Sequence, residues 1–136
     1  MSRGAEGGAV NILVIDLAQT TTGTRPLADP LAGGRLITAQ LTTEFVDPRA
    51  DALGPGNALI LASGPLAGRR ISTGGRLSIG GKSPLTRGIK ESNAGGMAGD
   101  SLEALGYRAV VFTGVRPTAQ AAIFILDEHG ARFESA

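Results

Sequence analysis

At 136 residues, with 42% hydrophobic and 18% charged side chains, the chain has the size of one domain and too much apolar content for disorder; folding at this length buries roughly 68% of the surface of the unfolded chain. Having no cysteine and one histidine excludes disulfides, thiolate-held metals, Cys-ligated iron–sulfur clusters and a histidine-built metal site on this chain. The net charge of +1 conceals an uneven spread, because residues 69–90 contain Arg69, Arg70, Arg76, Lys82, Arg87 and Lys90 and no acid, which makes the segment either an anion-facing surface or a solvated face where charges happen to cluster.

The first nine residues, rich in glycine, read as a flexible N-terminus ahead of a single domain over 10–136. "VNILVIDLA" (10–18) has the β-branched, apolar composition of a strand, and "TTTGT" (20–24) reads as the turn that ends it. Leu36, Ile37, Leu41 and Phe45 follow a glycine pair at helix-like spacing, predicting a helix within 31–45, followed by a Pro/Gly loop over 46–57. "ALILAS" (58–63) is a short buried strand by its continuous apolar character, and "GPLAG" a turn. In "GGRLSIGG" (74–81) Leu77 and Ile79 alternate with small or polar residues, the pattern of a half-buried strand.

A glycine-rich basic loop, "GGKSPLTRGIKESNAGG", leads into "AGDSLEALGY" (98–107), which predicts a short helix with Asp100 or Ser101 as N-cap and Gly106 as its stop. "RAVVFTG" (108–114) and "AAIFILD" (121–127) read as strands, and "DEHG" (127–130) turns the second into a hairpin with "ARFES". The expected fold is α+β, a mainly antiparallel or mixed β-sheet with hairpins and two short helices. No apolar run approaches the 18 or so residues of a membrane span, and the start of the chain lacks a leader pattern; the expectation is a soluble, cytoplasmic protein with no membrane partner.

Several motifs fail on spacing. "GGKS" (80–83) lacks the glycine that a phosphate-binding P-loop requires five places before Gly81, where Arg76 stands, and Pro84 breaks the helix that should follow. "GPGNAL" (54–59) precedes a strand where a dinucleotide fingerprint follows one, and "LASGP" lacks the first glycine of a nucleophile elbow. His129 falls in a hairpin turn, the position of a solvated residue. Residues 69–90 hold no aromatic for base stacking, so no nucleic-acid partner is expected.

What remains is an anion site lined by backbone: a strand carrying Arg76, a basic glycine-rich loop with Lys82 and Ser83, then Asn93, Gly95 and Gly96 ahead of a helix. Amides and guanidinium groups arranged in this way suit a phosphate-bearing ligand. The same glycines and charges also suit turns and a solvated face.

The order of motifs over about residues 10–127 resembles the amino-terminal domain of the tungsten-containing aldehyde:ferredoxin oxidoreductases. "GPGNALILASGPLAG" and "STGGRLSIGGKSPLTRGIKESNAGGMAGDSLEALGYRAVVFTG" are similar to that family's Gly-Pro-Leu-Thr-Gly turn, Gly-Arg strand, Lys-Ser-Pro-Leu-Thr, Ser-Asn-Ser-Gly-Gly, short helix and following strand. The resemblance implies an enzyme that oxidises aldehydes to carboxylic acids with ferredoxin or another electron acceptor. Its tungsten, or molybdenum, is held by a bis-pterin, and this domain forms the base on which the cofactor rests.

On that likeness Arg76 matches an arginine that contacts the pterin. Asn93 matches a residue whose main-chain carbonyl helps to hold a magnesium ion bridging the pterin phosphates. Gly95 matches a cofactor-contacting glycine, with Gly96 beside it, and Lys82 and Ser83 lie in the matched Lys-Ser-Pro loop. A 4Fe-4S cluster would belong to parts of the enzyme that this chain does not contain.

The sequence departs from the pattern at Leu36, which replaces the glycine after Arg35, at Ala94 and Met97, and at Arg69 and Arg70, where small or polar residues are usual. Family enzymes are several times longer. The implied role is a fragment or small subunit supplying part of a tungstopterin platform, inactive alone, with the C-terminal domains or a large subunit as partner and self-association through an exposed seam when isolated. The rival role is a non-catalytic module that binds another phosphorylated ligand or a protein.

Overall fold

The structure, a computed structural model, describes residues 10–136; the flexible N-terminus expected over 1–9 lies outside the described residues. The chain order is β1 (Asn11–Asp16), β2 (Thr21–Pro26), α1 (Gly34–Phe45), β3 (Ala58–Ser63), β4 (Leu77–Lys82), β5 (Ile89–Ala94), α2 (Ala98–Ala104), β6 (Tyr107–Thr113), β7 (Ala122–Asp127) and β8 (Gly130–Ser135). Six strands form one sheet in the order β2-β1-β6-β3-β4-β5, and β7-β8 form a separate two-stranded ribbon. β1 and β6 run parallel, and the remaining pairs are antiparallel. The expected α+β class, with hairpins and two short helices, is what this arrangement shows.

The central strands are apolar on both faces because both faces are covered. On one side α1 packs Ile37 and Leu41 against Ile12, Ile60, Ala62, Ala109 and Val111. On the other, Leu13, Ile15 and Val110 meet Leu102 of α2 and the β7-β8 ribbon, where Phe124 sets its ring edge-on to Phe112 at 5.0 Å. Leu36, which shares the apolar run, points away from this core and is exposed. The outer strands β2 and β5 are polar and exposed, which discourages pairing with another sheet. Among the described residues no helix is long and apolar enough to cross a membrane.

A buried ion pair joins the two helices to the sheet. Arg108, 4% exposed, pairs with Glu103 of α2 and donates from Nη1 to the carbonyls of Pro30 (3.1 Å) and Ala32 (2.6 Å), just before α1. Ser63 Oγ donates to the same Glu103 carboxylate at 3.0 Å.

Four local expectations are corrected. All but the first residue of "TTTGT" belongs to β2 (Thr21–Pro26), as β-branched threonines favour; the turn spans 17–20, where Asp16 Oδ1 accepts from the amides of Ala18 (2.8 Å) and Gln19 (3.1 Å). Residues 89–94 of the expected basic loop are a strand, paired residue for residue with β4. The buried positions of β4 are Ser78 and Gly80, while Leu77 and Ile79 are half-buried; α1 crosses so closely that a Cβ at Gly80 would stand 2.9 Å from Thr38 Cβ. Finally, α2 begins after Met97 without a side-chain cap, and Asp100 instead accepts the amide of Gly68 at 2.6 Å.

Candidate functional site

The β4-β5 register determines which side chains meet. Ser78 lies opposite Asn93 and Leu77 opposite Ala94, so Arg76, one residue before β4, falls beside Gly95. Its Nε donates to Asn93 Oδ1, and a Cβ at Gly95 would lie 3.7 Å from its Nη1. Arg76, Asn93 and Gly95 thus converge at one exposed end of the hairpin, with Gly96 next in the chain at φ +122°.

Behind them runs a directed series of hydrogen bonds. Asn93 Nδ2 donates to Ser78 Oγ (3.2 Å), Ser78 Oγ donates to Glu91 Oε1 (2.7 Å), and Arg35 Nε, at the start of α1, donates to Glu91 Oε2 (3.3 Å). The Glu91 side chain is 11% exposed and that of Arg35 82%. The Ser78 hydroxyl is the main cause that holds Glu91 below the ordinary carboxylate pKa; partial burial opposes it, and Asn93 and Arg35 add to the lowering. Glu91 is therefore ionised at neutral pH, an acceptor on both oxygens.

The first turn of α2 closes the site from behind. Gly99 N–H donates to the Gly75 carbonyl at 3.1 Å, so the backbone entering Arg76 is bonded directly to the helix. The other guanidinium groups of the basic stretch, Arg69, Arg70 and Arg87, are exposed; the first two follow Gly68, which Asp100 holds.

Lys82 and Ser83 do not join this group. They lie six and seven residues beyond Arg76, roughly 20 Å away at the rise of an extended strand. Lys82 Nζ donates to the carbonyls of Pro48 (2.6 Å) and Ala50 (2.5 Å), and Asn57 brackets its backbone through Oδ1 and Nδ2, both at 2.9 Å. Ser83 is buried and closes the β4-β5 loop: its amide donates to Gly88 O (2.8 Å), its carbonyl accepts from Arg87 N (2.8 Å) and its Oγ accepts from Thr86 N (3.2 Å). The position of both is that of scaffold for the 46–57 and 83–88 loops.

Replacing Lys82 should accordingly separate stability from ligand binding. Lys82→Ala is expected to lower stability by about 1–2 kcal/mol, the scale of bonds from a partly exposed cation to carbonyls, read as a lower urea midpoint. Phosphate affinity at the Arg76 end should stay within about twofold, because the intervening distance exceeds a Debye length in physiological salt. A selective loss of anion affinity without loss of stability would return Lys82 to the binding group.

Sequence reasoning passed over Ser78 and Glu91. A signal existed: Glu91 and Asn93 are two residues apart, as are Ser78 and Gly80, so each pair shares a face once both segments are strands. Read as a glycine-rich basic loop over 80–96, the segment shows no such periodicity. Arg35 was noticed only as a partial motif; nothing local to residues 31–45 announces its partner 56 residues away.

Comparison with known proteins places this geometry in context. A family model described as the aldehyde ferredoxin oxidoreductase N-terminal domain matches residues 12–136. The tungsten-containing aldehyde ferredoxin oxidoreductases of Pyrococcus furiosus and Thermococcus kodakarensis are 42% and 40% identical to it over 103 residues, covering 76% of this chain and 17% of each relative. Among solved structures, the active site complex BamBC of benzoyl coenzyme A reductase, in complex with 1,5 dienoyl-CoA, shares the fold with a TM-score of 0.83 over 92% of this chain and 19% of that one, at 24% identity.

Proposed function

From a chain that belongs to the aldehyde ferredoxin oxidoreductase N-terminal domain family, and that spans about 17% of the length of the curated relatives it matches, we propose an amino-terminal piece or small subunit of an oxidoreductase that seats a tungsten or molybdenum bis-pterin. The observation that carries this reading is the convergence of Arg76, Asn93 and Gly95 at one exposed hairpin end.

The donor set suits such a group. Arg76 spends Nε on Asn93, which leaves the two terminal nitrogens to face an anion, and the side-chain-free Gly95 and Gly96 permit close approach to the backbone. β5 is the outer strand of its sheet, and an edge strand offers unpaired main-chain carbonyls, the hard oxygen ligands that magnesium takes; the carbonyl of Asn93 is the one that would hold a magnesium accompanying the cofactor. When bound, the metal and pterin supply the redox chemistry, the oxidation of an aldehyde to a carboxylic acid. The residues of this chain bind and orient the cofactor. The 4Fe-4S cluster, the substrate pocket and the contact with ferredoxin are assigned to the C-terminal domains or large subunit.

The test is cofactor content. Assembled with the polypeptide that carries the remaining domains, the wild-type chain should co-purify with tungsten or molybdenum and with pterin. Arg76→Ala removes a charge-assisted hydrogen-bond donor contributing about 1.5–3 kcal/mol, so cofactor affinity should fall roughly 10–150-fold. A complex with neither metal nor pterin in the wild type, or with full cofactor affinity in Arg76→Ala, overturns the reading.

A further inference from the structure

A carboxylate is the wrong charge for an anion site, yet Glu91 sits among Arg35, Ser78 and Asn93 at the hairpin end. A site selected for positive potential alone would leave that position neutral, since a nearby negative charge opposes the binding of another. The direction of the hydrogen bonds supplies a reason for it.

We infer that Glu91 is a positioning residue for the anion site, aiming the Arg76 guanidinium through Ser78 and Asn93 and holding Arg35 directly as a second arginine of the same site. This inference rests on the anion-binding role proposed above for Arg76. The Ser78 hydroxyl donates to Glu91 Oε1 at 2.7 Å, which spends its one proton there. The lone pairs of Ser78 Oγ are then what Asn93 meets, and its NH₂ turns toward them. With the amide so oriented, Asn93 Oδ1 faces outward and accepts Arg76 Nε. The acceptor at Glu91 thus sets the amide orientation two residues on and the guanidinium beyond it.

Arg35 is the second beneficiary. Its Nε is directed to Glu91 Oε2 at 3.3 Å while its side chain remains 82% exposed, so its terminal nitrogens stay open to a ligand. Ser78, 1% exposed, keeps solvent from supplying a competing partner in the middle of the series.

Positioning and simple electrostatics predict opposite signs, which makes the inference testable on the full 136-residue chain with inorganic pyrophosphate as the probe. Two quantities are read by NMR: pyrophosphate affinity, and protection of the Arg76 Nε–H from exchange. Glu91→Ala removes a negative charge and the acceptor together; affinity should fall about tenfold, the scale on which partners that orient a ligand-binding group act, and the Arg76 Nε–H should lose protection. Glu91→Gln removes the same charge but keeps an acceptor for Ser78, and should retain most of the affinity and protection. Ser78→Ala removes the nearer of the two acceptors of Asn93 Nδ2 with no change of charge, leaving only the 3.5 Å bond to Glu91 Oε1, and should lower affinity and protection in the same direction as Glu91→Ala but by less.

Affinity that stays level or rises in Glu91→Ala, or an Arg76 Nε–H that remains protected in both alanine variants, overturns the inference. If wild type does not bind pyrophosphate, the proposed anion site fails, and the Nε–H protection still decides whether Glu91 positions Arg76. Should one alanine variant fail to fold, the other provides the same comparison.

Discussion

Arg108→Ala is expected to lower folding stability by about 3–5 kcal/mol, the cost of removing one partner from a buried ion pair. The arginine is 4% exposed, and its loss leaves the Glu103 carboxylate with Ser63 alone and deprives the carbonyls of Pro30 and Ala32 of their donor. Against a total of roughly 5–15 kcal/mol for a domain, that is a third or more of the margin. Urea denaturation should show the midpoint falling with little change in slope.

Arg108→Lys should recover only part of the loss, because an ammonium cannot reach a carboxylate and two carbonyls with the spread of a guanidinium. The apolar pair Arg108→Met with Glu103→Leu should be closer to wild type than Arg108→Ala, since no uncompensated charge is left buried. Equal stability of Arg108→Ala and wild type would show that the contact contributes nothing. The consequence reaches the candidate site, because the Pro30–Ala32 segment leads straight into Arg35, the arginine that Glu91 holds.

How far the sequence discloses this molecule depends on the range over which each feature is decided. β1, β3, β6 and the β7-β8 hairpin were legible because their signals are local: unbroken β-branched runs and a tight polar turn. The α1 region was legible from the spacing of Ile37 and Leu41, which do enter the core, although Leu36 in the same run does not. β5 was not legible. "IKESNA" carries no apolar alternation, because it is an outer strand, exposed along nearly its whole length, that takes its conformation from pairing with β4. β2 was missed for the same reason.

The site divides along the same line. Arg76, Asn93 and Gly95 came from motif order, and the hairpin brings them together; Lys82 and Ser83 came from the same motif, but a motif does not say how far apart along an extended strand its residues fall. Lys82 lies at the far end of β4, beside the 46–57 loop, and its carbonyl partners there are 32 and 34 residues away in sequence. Glu91 and Arg35 needed the sheet register to be seen as one group. Features held by long-range pairing become visible only in three dimensions.

Gly99→Ala separates local preference from packing. Within a helix alanine is favoured over glycine by about 1 kcal/mol, so propensity alone predicts a more stable protein. The geometry predicts the reverse. A Cβ at position 99 would stand 2.6 Å from the Gly75 carbonyl oxygen and 2.8 Å from that of Arg76, backbone atoms that cannot rotate aside as a side-chain end can. Overpacking of this kind typically costs 1–3 kcal/mol, and relieving it requires α2 to lift, breaking the bond from Gly99 N–H to Gly75 O. The net expectation is a loss of about 2 kcal/mol, seen as a fall of roughly 5–10 °C in Tm. Gly23→Ala is the control: no atom lies within 4 Å of its added Cβ, so that change should be neutral or slightly stabilising. Because the displaced backbone is that of Arg76 itself, Gly99→Ala should also weaken the Arg76 Nε–H bond to Asn93 and lower pyrophosphate affinity along with stability. A variant as stable as wild type, with the Arg76 Nε–H still protected, would mean that α2 does not set the height of the strand that carries Arg76.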